Sequence, residues 1–381
     1  MTYKAFEDYY KEENIRHMIL HSHNGTLFSP PFATEKCKNY NQGVFIDKDV
    51  TYIECSKSQG TSKTSAVTSI GDSIWFIPYG IWDDYNYVTQ IKGNGDVVYH
   101  HIDVEGQGQY YSIASDNDSA FSFPLGYKGT NKCLYIKNDK VETYEVPYTG
   151  KKLHMGTVYC NGKYWSMPRG DDAGYCKLLS FDGDQLQSYE VDVDPSITRK
   201  FSDIEVYGDK LIALPFGETK GLNDLVVFDT TTSKFSYHKI CNRDFAKKYN
   251  CSVLIDNYLL ALPYGDEHHN DSNIGLSINL LDYTYNEIDI EKSFGGKYRF
   301  RSGVAYKGSA FFWPTGTLGC SIIKISKEGN ILKEINTPDK LWGRPIIHND
   351  KICVISVNIE SNAHQVEFFD EDLNICKTII I

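Results

Sequence analysis

Residues 209–229, DKLIALPFGETKGLNDLVVFD, combine a polar turn, an apolar strand ending in Pro-X-Gly, a polar loop and a second apolar strand ending in Asp. Close relatives of this stretch recur along the chain: IWFIPYG (74–80), AFSFPLG (120–126), YWSMPRG (164–170), LIALPFG (211–217), LLALPYG (259–265) and AFFWPTG (310–316). Their prolines, Pro78, Pro124, Pro168, Pro215, Pro263 and Pro314, are spaced by 46, 44, 47, 48 and 51 residues. TLFSPPF (26–32) lies one period upstream, and ICVISVN (352–358) lies one period downstream with Ser356 in the proline position. The 381 residues therefore read as eight copies of one unit, a closed array rather than several independent domains.

Working outward from the quoted stretch, FSDIEVY (201–207), KLIALPF (210–216), DLVVFD (224–229) and FSYHKI (235–240) form four short strands a to d, separated by turn residues. Matching a-strands appear in HMILHS, TSAVTSI, YYSIASD, HMGTVYC, YNCSVLI, FRSGVAY and GRPIIHN. Four-stranded units of this length, repeated without helices, are the blades of an all-β propeller, because a ring leaves few strand edges open. The count is eight blades, or seven if a terminal unit folds differently. Proline donates no ladder hydrogen bond, so its recurrence at the end of strand b marks where pairing stops and a loop begins. The expected organisation is an N-terminal arm over 1–14 and one propeller over 15–381. Its blades run near 15–58, 59–106, 107–150, 151–196, 197–246, 247–295, 296–340 and 341–381, with a non-covalent seam between the first and the last.

With Pro215 and Gly217 closing strand b, and VVFDTTTSKFSYHKI (226–240) carrying strand c into an Asp-containing turn, the chain resembles the kelch-like, galactose-oxidase-central-domain-like propellers. The resemblance covers residues 15–381 and implies the fold. It carries over no functional residue.

Composition narrows the function classes. Net charge is -11 with no run of Lys or Arg, so neither nucleic acid nor an anionic membrane surface is expected as a partner. No stretch approaches 18 apolar residues and the charged N-terminus has no signal-type apolar core. The ten cysteines stand singly, without metal-type spacing, and read as reduced, mostly buried thiols of a cytoplasmic monomer. There is no P-loop, no dinucleotide-binding glycine motif, no His-Glu-x-x-His and no Gly-x-Ser-x-Gly, and no cofactor is expected.

If strand a lines the channel, each Pro-X-Gly opens onto one face, and the candidate site residues gather there. Arg169 follows Pro168; Arg299 and Arg301 lie two apart on one strand face; Arg344 begins the next a-strand. Converging guanidiniums would bind a carboxylate or phosphate, unless they pair internally with acids such as Asp203. Trp82, Tyr85, Tyr127, Tyr175 and Tyr264 could bind a glycan or protein surface, or pack under their loops. His154, Asp203, Arg301 and Arg344 are the candidate catalytic groups, and Asp266, His268 and Asp271 in GDEHHNDSN the candidate metal ligands. Two readings follow: a propeller holding a protein or glycan on its loop face, or an enzyme of lyase, mutarotase or lactonase type acting on a small polar or anionic molecule at the channel mouth. A broad exposed aromatic patch would favour the first, and a polar pocket with perturbed titratable groups the second.

Overall fold

The computed structural model describes residues 14–381 except 80–85, 105–108, 127–130, 149, 152, 171–173, 218–220, 241–245, 265–272, 291–299, 315–320 and 359. The chain forms eight antiparallel blades in a ring. Blade 5 has strands a to d at Glu205–Tyr207, Lys210–Ala213, Asp224–Asp229 and Lys234–Lys239, and the a-strands of the other blades also lie innermost. Strands b and c are apolar on both faces because each blade is sandwiched between two others. LVVF of Asp224–Asp229 is wholly buried, whereas Lys234–Lys239 on the rim is mostly exposed.

Each pair of neighbouring blades shares a hydrophobic core of its own. Between blades 4 and 5, Trp165, Met167 and Leu178 pack on Leu211, Val226 and Phe228. The aromatic residues that precede the proline in four b-strands fill such cores: Trp75, Phe123, Trp165 and Trp313 are all buried. Burying side chains of this size contributes roughly 1.5–3 kcal/mol each. Tight hairpins join a to b through left-handed residues, as at Asn161-Gly162 (φ 48° and 74°). The Asp ending strand c also has a local task. Asp229 accepts the Thr231 and Thr232 amides at 3.0 and 2.8 Å, which folds the c–d turn.

Among the described residues, the residue after the proline ties the ring together. The Arg169 amide donates to Leu153 of its own blade at 2.8 Å, and its carbonyl accepts from Lys200 of the next blade at 2.8 Å. The Phe216 amide then donates to Lys200, and its carbonyl accepts from Lys248. The same zigzag runs through Phe32, Tyr79 and Leu125 and reaches Tyr264. With both backbone groups committed, the side chain at each of these positions projects from a fixed point on the channel rim.

Two departures from the sequence reading matter for the site. Strand a does not run unbroken over 201–207: Phe201 makes an isolated bridge to Pro215 and the ladder resumes only at Glu205. The intervening residues bond elsewhere, Ser202 Oγ donating to Tyr249 of blade 6 and Asp203 Oδ1 accepting the Ile204 amide. Blades 2 and 6 show the same interruption as register shifts after Thr64 and Tyr249. Such bulges re-aim side chains at the rims of closed sheets.

Blade 8 differs further. With Ser356 in place of proline, its b-strand continues from Lys351 to Asn358 and pairs with two short inner strands, Lys340–Trp342 and Ile346–His348. Ser356 Oγ donates to Glu367, which is fully buried and ion-paired with Lys340. Between the inner strands, Gly343 meets the first blade so closely that a Cβ would lie 2.4 Å from the Met18 carbonyl, and the Arg344 amide donates to that carbonyl at 3.3 Å. Leu20, Leu27 and Val44 pack on Cys353, Ile355 and Val366 across the same junction. The seam thus joins blades 1 and 8 without a shared sheet. Residues 1–13 of the expected arm lie outside the described residues, as do Cys241 and Cys320; of the rest, Cys55, Cys133, Cys160, Cys176, Cys251 and Cys353 are buried free thiols. No helix among the described residues is long and apolar enough to cross a membrane.

Candidate functional site at the channel mouth

Two rows of side chains meet on the Pro-X-Gly face. One row follows the prolines (Tyr79, Arg169, Phe216, Tyr264), and the other comes from the interrupted heads of the a-strands (Tyr111, Asp203, Arg344). Arg344 of blade 8 reaches across the channel and donates through Nη2 to the Tyr111 hydroxyl of blade 3, with its guanidinium 4.8 Å from the centre of that ring. No carboxylate of the described residues lies in ion-pair range of Arg344. Tyr79 of blade 2 packs edge-on against Tyr111 at 5.9 Å.

On the other side, Arg169 lies over the Phe216 ring at 5.2 Å, Phe216 packs on Tyr264 at 5.6 Å, and Arg301 lies over Tyr264 at 5.1 Å. Arg301 Nη2 also donates to the Tyr264 hydroxyl at 2.6 Å. All three guanidiniums act on Tyr79: burial and the neighbouring Tyr111 push its phenol up, and Arg169, Arg344 and Arg301 pull it down. Seven of the eight blades thus contribute to one cationic, aromatic-walled mouth.

Below it, Asp203 precedes by two residues Glu205, which opens the blade 5 a-strand, and the two carboxyls act on each other electrostatically. Burial raises the Asp203 carboxyl, against the pull of its backbone donors and of Arg344. Burial also raises Glu205, and the Asp203 charge adds to the shift. Ser252 Oγ of blade 6 donates to Glu205 at 3.0 Å. Gly156, Met167, Phe201, Ser202 and Ile204 surround Asp203.

His154 and Tyr175, both candidates by sequence, have a different place. His154 is buried, and its Nδ1 donates to the Met167 carbonyl at 3.1 Å, which leaves Nε2 to accept the Tyr175 hydroxyl at 2.7 Å. Burial lowers the imidazole to about 3. His17 repeats the arrangement in blade 1, bonding the Pro30 carbonyl and the Tyr40 hydroxyl, and Tyr110 reaches the Lys132 carbonyl in blade 3. The recurrence marks a structural tie from the head of strand a to the start of strand c. Trp82, Tyr85, Tyr127, Arg299, Asp266, His268 and Asp271 lie outside the described residues. Among those described, no group of three His, Cys, Asp or Glu side chains is placed to hold a metal.

Sequence reading passed over Tyr79, Phe216, Tyr111 and Glu205. The signal for the first two was their place in Pro-X-Gly, shared with Arg169 and Tyr264. For Glu205 it was the two-residue spacing from Asp203. Lys63, Lys200 and Lys248, which precede the residues bridging to proline, were also missed. They are buried, Lys63 bonding the Ser58 carbonyl and Asn41, and Lys200 the Ile197 carbonyl.

No family model matches the chain, and no curated protein is similar to it. Solved structures are. A streptogramin B lyase superposes with a TM-score of 0.54 over 84% of this chain and 94% of its own, at 13% identity. Apo AztD from Citrobacter koseri superposes at 0.55 over 96% and 94%, at 10% identity. The likeness is one of fold. It establishes the β-propeller and leaves the kelch-like assignment aside.

Proposed function

We propose that the protein binds a small anionic molecule at the mouth of its central channel. The observation carrying this reading is Arg344, which crosses the channel to the Tyr111 hydroxyl and has no described carboxylate in ion-pair range, beside Arg169 and Arg301. Guanidiniums grouped at a partly desolvated mouth favour an oxyanion, through charge-assisted and often bidentate hydrogen bonds. The loop-face reading, with a protein or glycan partner, draws less support. Its candidate residues Trp82, Tyr85 and Tyr127 lie outside the described residues, whereas the three arginines of the anion reading act together on Tyr79. The enzymatic reading keeps one specific support, the Asp203–Glu205 pair, whose raised carboxyls suit proton transfer near neutral pH. His154 plays no part in either. The kelch-like kinship, the cytoplasmic setting and the monomeric state belong to the same proposal.

Titration calorimetry with acetate, phosphate and citrate tests it. Saturable binding is expected, weakening with ionic strength. Arg344→Ala, which keeps the backbone bond to Met18, should lower affinity about 10- to 100-fold, the equivalent of one or two charge-assisted hydrogen bonds. Failure of all three anions to bind, or equal binding by the variant, would overturn the reading.

A further inference from the structure

Resting on that reading, we infer that the channel ligand is a polyhydroxylated oxyanion, a sugar acid or sugar phosphate. Its anionic end meets Arg344, and its hydroxyls are read by Asp203 and Glu205. The two halves of the site sit side by side without cancelling. Arg344 acts on Asp203 electrostatically, yet the guanidinium bonds Tyr111 instead of the carboxylate. Positive and negative groups are therefore offered separately to whatever enters.

Asp203 is half-buried. A Cβ at Gly156 would lie 2.9 Å from Ile204 Cγ2 and 3.5 Å from Asp203 Oδ1, so glycine lets the neighbouring blade approach closely beside the carboxylate. The backbone amide of Ile204 holds Oδ1 at 3.0 Å, and Ser252 holds Glu205, which fixes both acceptors before a ligand arrives.

A hydroxyl suits this half better than an ammonium. The nearby guanidiniums repel a cation, whereas carboxyls at the edge of ionisation can both donate to and accept from hydroxyls.

Calorimetric titration of the full chain with glucuronate, glucose 6-phosphate, acetate, inorganic phosphate and glucose tests the inference. At least one of the two hydroxylated anions should bind about tenfold more tightly than its simple counterpart, and glucose more weakly than either. The stronger of the pair identifies the carboxylate or the phosphate as the head group. Asp203→Asn and Glu205→Gln, both near-isosteric, should each bring that preference close to one, with acetate and phosphate bound at least as tightly as before because a negative charge near Arg344 is removed. Acetate or phosphate matching the hydroxylated anions, glucose matching glucuronate, or either variant retaining the preference would overturn the inference and leave the anion site standing. Absence of binding by every compound would overturn both.

Discussion

Tyr110 and Tyr111 are adjacent in sequence and belong to different parts of the molecule. Tyr110 bridges to Pro124, is wholly buried in the core between blades 2 and 3, and donates to the Lys132 carbonyl. Tyr111 stands in the channel, with Arg344 on its ring face and hydroxyl. The same step separates other blades. His154, Phe201 and Tyr249 occupy the proline-bridging position and serve the core, whereas Asp203 and Arg344, released from the ladder one or two residues later, face the channel. The interruptions at the heads of the a-strands, as in blades 2, 5 and 6, break the regular alternation of faces, so the residues just past the bridge are re-aimed at the rim. Architecture thus occupies the bridging position of the repeat and chemistry the one or two residues after it.

Four substitutions probe that division, in order of expected effect. Tyr110→Ala should destabilise the fold by about 3–5 kcal/mol, the usual cost of truncating a buried aromatic, while Tyr111→Ala costs under about 1 kcal/mol. Urea unfolding of the two variants decides it, and equal losses would erase the distinction. Next comes His154→Leu, expected to cost about 1–3 kcal/mol by stranding its buried partners, with anion affinity unchanged. An affinity loss matching that of Arg344→Ala would instead move His154 into the site.

The buried imidazoles also set a pH response. Burial lowers His17 and His154 to about 3, and His21 and His364 to about 4, from 6.5. Below 6.5 the unfolded chain takes up protons that the folded chain refuses. Their stabilisation is therefore complete above 6.5 and declines as pH falls toward 4. His154→Leu should flatten that decline between pH 7 and 5, and an unchanged slope would contradict the assignment.

The smallest effect concerns Glu205. Its carboxyl is raised in the folded state, so stability is lost as pH climbs from the ordinary carboxylate range toward the folded value. Glu205→Gln should gain stability at neutral pH, by about 1 kcal/mol or less once the lost Ser252 contact is counted, and nothing near pH 4. A loss at neutral pH would show that the carboxylate contributes more through its bonds than burial costs it.

The fold was largely legible because the Pro-X-Gly recurrence reports a backbone fact, the end of pairing in strand b. Ser356 shows the converse: without proline the strand runs on to Asn358. The site was only half legible. Arg169, Tyr264, Arg301, Arg344 and Asp203 carry charge or a phenol at loop-proximal positions, which drew them out of the sequence. His154 and Tyr175 look the same on that criterion and are structural. What separates His154 from Tyr111 and Asp203 is a step of one or two residues past the proline-bridging position, and local composition does not encode that displacement. Nor does it encode the channel-spanning approach of Arg344 to Tyr111, which depends on how all eight blades close.

The most direct test of the account is an experimental structure of the protein with the tightest-binding anion from the titrations. The account places that anion on the Pro-X-Gly face, bonded to Arg344 and within reach of Arg169 or Arg301, with the Tyr111 contact displaced or shared. An anion lodged elsewhere, on the outer strands or at the opposite end of the channel, with Arg344 still bound only to Tyr111, would contradict it.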